Sequence, residues 1–192
     1  MGGPRRSWPV PAIGVAAAVP AGLLGLLSMQ PLQAAASAVL AGTMAAIAAE
    51  DLRHFRVPDA QNASVAAAGL AAAWLLAWAE GDDALSAVLW ALLHIALCGG
   101  ALLLVREAFF RLRGVDGLGL GDVKLAAASG AWIGPGGFAL AVLAAALAAL
   151  AFVALQHRRE GSWAAERRIP FAFYLAPAIW ACWFLLQLNP AS

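Results

Sequence analysis

The chain has 192 residues, 63% of them hydrophobic, and its 12 basic and 11 acidic side chains make up only 12% of it. Soluble domains carry about 25% charged residues, so this composition excludes a soluble globular domain and a disordered chain. A net charge of +1 argues against a nucleic-acid binder, whose groove needs a surplus of cations. A mean hydropathy of +0.80 places most of the chain in lipid.

A membrane-spanning helix needs about 20 mostly apolar residues. The sequence predicts seven spans and therefore an all-α polytopic membrane helix bundle. The first covers residues 9–29 and contains Pro11 and Pro20, which membrane helices tolerate. The second covers 32–49 and stops at Glu50 and Asp51. The third covers 64–79, before Glu80-Gly81-Asp82-Asp83, and the fourth covers 84–105, before Arg106-Glu107. The fifth is short, 123–133, and ends at Gly134-Pro135-Gly136-Gly137. The sixth covers 138–156, before His157-Arg158-Arg159, and the seventh covers 169–188.

With the N-terminus in the cytoplasm, alternation of these spans places all 12 cations on the cytoplasmic side. Arg5 and Arg6 precede the first span, and Arg53 and Arg56 join the second to the third. Arg106, Arg111, Arg113 and Lys124 flank the connection from the fourth to the fifth. Arg158, Arg159, Arg167 and Arg168 join the sixth to the seventh. The positive-inside rule asks for this distribution, and the C-terminus is then outside. A cleaved signal peptide is the alternative reading of the first span, given Arg5-Arg6 and the small residues Ala34 to Ala38. Its apolar stretch exceeds the roughly 7–15 residues of such a segment.

Most acids fall in solvated settings. Glu80, Asp82 and Asp83 form an outer turn, Glu160 and Glu166 lie in a basic inner loop, and Glu107 neighbours Arg106 and Arg111. Asp51 and Asp122 differ: one ends the second span and the other begins the fifth, both at the cytoplasmic membrane edge. Burying a charge is costly, so acids at the rim of an apolar bundle point to function. Asp122 follows the run Gly117-Leu118-Gly119-Leu120-Gly121. Glycines without a Cβ let a second backbone or a substrate approach; the run also reads as a helix-entry loop with Asp122 as its N-cap. Cys98 and Cys182 form no CxxC pair, and His54, His94 and His157 show no ligand spacing, so no metal site is expected.

The stretch Glu50-Asp51-Leu52-Arg53-His54-Phe55-Arg56-Val57-Pro58-Asp59, taken with Gly119-Leu120-Gly121-Asp122-Val123-Lys124-Leu125, resembles the type IV prepilin peptidase family, membrane aspartic proteases with a GxGD motif. Arg168-Ile169-Pro170-Phe171 is similar to the family's Pro-Phe-containing stretch before its last span. The resemblance covers roughly residues 35–188. It implies Asp51 and Asp122 as catalytic residues, with Gly119, Gly121, Lys124 and Pro58 supporting them and with no cofactor or metal. It implies a prepilin or pseudopilin substrate, cut at the cytoplasmic face of a bacterial inner membrane. It also implies a division into an N-terminal tail and additional helix, residues 1–31, and a six-helix peptidase domain, residues 32–192. Asp59 stands where the family commonly has Asn. The Cys-pair segment of the larger bifunctional members is not in this sequence, so the chain resembles the short, peptidase-only type.

In an aspartic protease two close carboxyl groups share one proton; the ionised one activates a water and the protonated one polarises the scissile carbonyl. Asp51 and Asp122 are 71 positions apart and must meet through helix packing. Glu50 is the rival to Asp51, and the spacing to Pro58 favours Asp51. Lys124 reads either as an interfacial anchor or as a contact for the acid pair or the substrate. The alternatives to a protease are a small proton- or cation-coupled transporter and a non-catalytic membrane subunit. A transporter favours acids near the bilayer midplane and paired half-repeats, a pattern the sequence does not show.

Overall fold

The computed structural model describes residues 10–114, 118–160 and 170–188. Arg5, Arg6, Gly117, Glu166, Arg167, Arg168 and Ile169, named above, lie outside the described residues. Alanine, the best helix former, dominates the sequence, and the described residues form only helices, turns and short connections. The helices are α1 (Val10–Ser28), α2 (Pro31–His54), α3 (Asp59–Glu80), α4 (Ala84–Arg113), α5 (Leu120–Glu160) and α6 (Phe171–Leu188). Five of them, α2 to α6, are long and apolar enough to cross a membrane, and α1 adds a shorter apolar helix, Ile13–Ser28. The protein is a polytopic helical membrane bundle.

The fifth and sixth expected spans are merged in α5. Its apolar stretch Leu120–Arg158 has 39 residues, roughly 58 Å of helix, against a hydrocarbon core of about 30 Å. One residue resolves the mismatch: helical geometry breaks at Gly134, with φ 59° and ψ −179°, a region open essentially to glycine alone. The contacts show that the chain doubles back there. In the first limb (120–133), Trp132 stacks edge-on against Trp183 of α6. In the second limb (135–160), a Cβ on Gly137 would lie 3.3 Å from Leu186 of α6, whereas Phe152 meets Tyr174 at the start of α6. The first limb thus runs parallel to α6 and the second antiparallel. The Gly/Pro turn expected over residues 134–137 contracts to Gly134. The helix also continues through His157 and Arg158, which the sequence placed in a loop.

Small residues set the helix spacing, as in other membrane bundles. A Cβ on Gly14 of α1 would lie 2.8 Å from the Gly42 carbonyl oxygen of α2. Gly99 of α4 abuts Ala127, and a Cβ on Gly130 would collide with the His94 carbonyl oxygen. Leu40, Met44 and Ile47 of α2, Val65 of α3, Leu125 of α5, and Leu175 and Ile179 of α6 fill the centre, each at most 1% exposed. Larger apolar side chains such as Leu27, Trp78, Leu104 and Leu150 face outward, where lipid replaces water.

The close approach at Gly130 generates a test. Gly130→Ala pushes a methyl into a backbone oxygen of α4 and lowers the thermal midpoint in detergent, by about 1–3 kcal/mol of stability. At Gly100 an added Cβ meets nothing within 4 Å among the described residues, so Gly100→Ala is neutral or stabilising, by up to about 1 kcal/mol. Equal midpoints for the two variants would contradict the α4–α5 packing.

Candidate active site

Helix ends build the site, because a helix start leaves backbone N–H groups without intrahelical partners. Asp51 lies in the last turn of α2, and only 5% of its surface is exposed. The Phe173 backbone N–H, in the first turn of α6, donates to its Oδ2 at 2.9 Å. The neighbouring Ala172 N–H faces the same carboxyl group. The antiparallel course of α2 and α6 places them so: at the other end of the contact, Trp180 Nε1 donates to Ser37 Oγ at 3.1 Å. Beyond Asp51, α2 closes on Phe55, which takes the left-handed conformation (φ 52°, ψ 40°) and donates its N–H to the Asp51 carbonyl at 2.8 Å. Pro58 then caps the start of α3 in an extended conformation.

Asp122 is in the first turn of α5, where the Gly119 backbone N–H faces its carboxyl group. Gly119, not Asp122, occupies the capping position, and Asp122 reaches back to it from the third helical residue, half of a capping box. The two acids, from the end of α2 and the start of α5, lie at the same end of the bundle, where Gly121 sits against Val57, near enough for the charge of Asp51 to act on Asp122.

The glycines serve different purposes. A Cβ on Gly121 would lie 3.3 Å from Val57 Cβ and 3.4 Å from Val57 N and O. Its bare Cα lets the Asp122 turn sit on the Val57-Pro58 segment. Among the described residues, a Cβ on Gly119 would meet only the Asp122 carboxyl and the Gly121 nitrogen. Lys124, left open between anchor and acid-pair contact, pairs with Asp59 at the start of α3, with Nζ 2.6 Å from Oδ1. Glu50, the rival acid, pairs with His54 at 3.0 Å on the same helix.

Two participants were not picked out in the sequence. The Phe173 amide was hidden because a backbone donor has no letter of its own; its only trace is the Pro170-Phe171 helix start. Asn62 of α3, 5% exposed, donates through Nδ2 to the Gly121 carbonyl at 3.4 Å. Its signal was a polar residue three positions after Asp59, on the same helix face. Among the described residues no group of three or more His, Cys, Asp or Glu forms a metal-binding cluster.

An apolar groove of about 720 Å³ opens beside Asp51 between α1, α2 and α6. Leu52 and Phe173 line one end of it, and Pro20, Leu24 and Trp180 line it farther along. Arg53, Arg56, Arg106, Arg111, Arg113, Lys124 and Arg158 gather at the acid-pair end of the helices, whereas Glu80, Asp82 and Asp83 mark the opposite end.

The docking of Gly121 on Val57 is open to test. Gly121→Val lowers the thermal midpoint in detergent, with about 1–3 kcal/mol of stability lost to overpacking. An unchanged midpoint would contradict the contact.

Comparison with known proteins places the chain. The model of the type IV leader peptidase family matches residues 38–154, well over half of its length. The prepilin leader peptidase/N-methyltransferases of Burkholderia pseudomallei strains 1026b and K96243 are each 44% identical to it over 68 residues. That match spans 35% of this chain and 22% of each relative. No solved structure gives a significant match.

Proposed function

Because the chain belongs to the type IV leader peptidase family, we propose that it is a membrane aspartic endopeptidase that removes the leader of type IV prepilins or pseudopilins. Asp51 and Asp122 are its catalytic pair, and an activated water is its nucleophile. The observation that carries this reading is the placement of two acids, from helices far apart in sequence, at the same end of an apolar bundle, Asp51 in the last turn of α2 and Asp122 in the first turn of α5, with Gly121 against Val57. A lone buried acid is a cost with no return, whereas a pair is the minimum set for aspartic catalysis.

The chemistry divides between the two groups. One carboxylate takes a proton from the water as it attacks the scissile carbonyl. The other, protonated, donates to the carbonyl oxygen as negative charge develops there. Collapse of the tetrahedral intermediate sends a proton to the leaving amine, and the pair returns to its starting state. The mechanism uses one group as base and the other as acid, so both carboxyl groups are required.

The charge distribution supports an orientation. With the described cations at the acid-pair end, the positive-inside rule favours a cytoplasmic location for that end, and the family reading makes the membrane a bacterial inner one. The leader then stays in the cytoplasm, and the apolar segment after the cleavage point enters the bilayer. The groove beside Asp51 suits that segment. The basic residues attract anionic lipid headgroups rather than a basic leader. Acids at the helix ends do not favour the transporter reading, which needs them near the midplane.

Co-expression with a prepilin, followed by a gel shift for leader removal, tests the pair. Asp51→Asn and Asp122→Asn each abolish processing while still inserting in the membrane, and Glu50→Gln keeps most activity. Normal processing by either Asn variant would sink the assignment.

The amide at the start of α6 gives a sharper prediction. Phe173→Pro removes the donor to Asp51 within the first turn of α6, where the N–H has no intrahelical partner to lose. Processing falls about 10- to 100-fold, the equivalent of one hydrogen bond to a charged group. Phe173→Ala keeps the N–H and loses much less. Equal rates for the two variants would show that the amide does not matter.

A further inference from the structure

Catalysis by a carboxyl pair requires each group to be held still, yet Asp122 sits on the first turn of a helix, where backbone is least constrained. Its own motif does not explain what fixes that turn. We infer that Val57 and the first turn of α3 form a socket that sets Asp122 in position, with Asn62 and the Asp59–Lys124 pair as its positioning residues. The inference rests on the reading of Asp51 and Asp122 as the catalytic pair.

Three contacts, all within two residues of Asp122, support it. The Gly121 Cα lies against Val57, so close that an added Cβ would come within 3.3 Å of the Val57 Cβ. Asn62 Nδ2 donates to the Gly121 carbonyl, which belongs to the peptide unit leading into Asp122. Lys124 Nζ meets Asp59 Oδ1 at 2.6 Å. Asp59 and Asn62 are three apart on α3, and Gly121 and Lys124 are three apart on α5, so each pair shares one helix face. The two faces oppose each other along limbs that run parallel, since Gly69 farther along α3 abuts Ala131 and Trp132. The socket therefore grips the turn on either side of Asp122.

Asn62 is the telling member. It is 5% exposed, and its Oδ1 is buried with no hydrogen-bond partner among the described residues. A buried amide half satisfied in this way costs stability. An apolar residue would suit the core better, so holding the Gly121–Asp122 peptide is the use that accounts for it. The Asp59–Lys124 pair is partly exposed, with side-chain exposures of 76% and 49%. Such a pair adds little to stability, and its effect is expected on alignment.

The test uses the purified full chain in detergent with a synthetic peptide carrying a basic leader, a Gly at the cleavage point and an apolar segment. Asn62→Ala lowers kcat about 10- to 100-fold, the loss a misplaced catalytic group produces, and leaves KM within about twofold. Asp59→Lys lowers kcat about two- to fivefold, an unchanged kcat counting against the socket; Asp59→Asn keeps the acceptor oxygen and the rate, and Asp59→Lys combined with Lys124→Asp restores it. A wild-type kcat for Asn62→Ala overturns the socket. Should that variant not accumulate, the partly exposed pair decides: a charge exchange that fails to restore the Asp59→Lys rate overturns it. Cleavage by Asp122→Asn has a different meaning, since it removes the catalytic pair and the socket falls with it.

Discussion

A carboxyl group inside an apolar bundle needs hydrogen-bond donors, and in lipid the backbone supplies them only where a helix begins. Asp51 and Asp122 both obey this constraint. Asp51 ends α2 but rests against the first amides of α6. Asp122 begins α5 and reaches back to the Gly119 amide. Each acid is therefore tied to a helix start, and the two starts must lie at the same end of the bundle.

That requirement dictates much of the topology. The start of α6 reaches Asp51 only if α2 and α6 run antiparallel, as the Trp180–Ser37 and Phe173–Asp51 bonds show. The chain between Asp122 and α6 must return to the end where it started. Reversal at Gly134 accomplishes this, bringing Phe152 back to the level of Tyr174. Without that reversal, the start of α6 would lie a membrane's width from the start of α5. Small residues at the crossings then let the backbones come close enough for short-range bonds to form.

The parts of this design written locally were legible in the sequence. Apolar runs marked the helices, the cations marked one end of the bundle, and the two acids at span ends stood out from the solvated ones. Gly119 and Gly121 announced a close approach, and Gly121 makes one with Val57. The parts that depend on long-range pairing were not legible. Nothing near Lys124 in sequence announces Asp59, 65 positions away, as its partner. Nothing near Asp51 announces a backbone amide 122 positions on. The extent of the break in α5 was also hidden. Gly134-Pro135-Gly136-Gly137 reads as a four-residue turn, yet Pro135 at the start of a helical limb needs no N–H partner and fits the helix there, so one glycine suffices.

The convergence of Asp51 and Asp122 is the central physical claim, and cross-linking measures it without any assay of activity. Cysteines are introduced by Asp51→Cys and Asp122→Cys, with Cys98 and Cys182 replaced by serine, and the membranes are treated with a short bifunctional thiol reagent. Proteolysis between α2 and α5 should then leave the two fragments joined in the double variant and separate in each single one. Separate fragments in the double variant, with both cysteines accessible to a monofunctional reagent, would contradict the pairing.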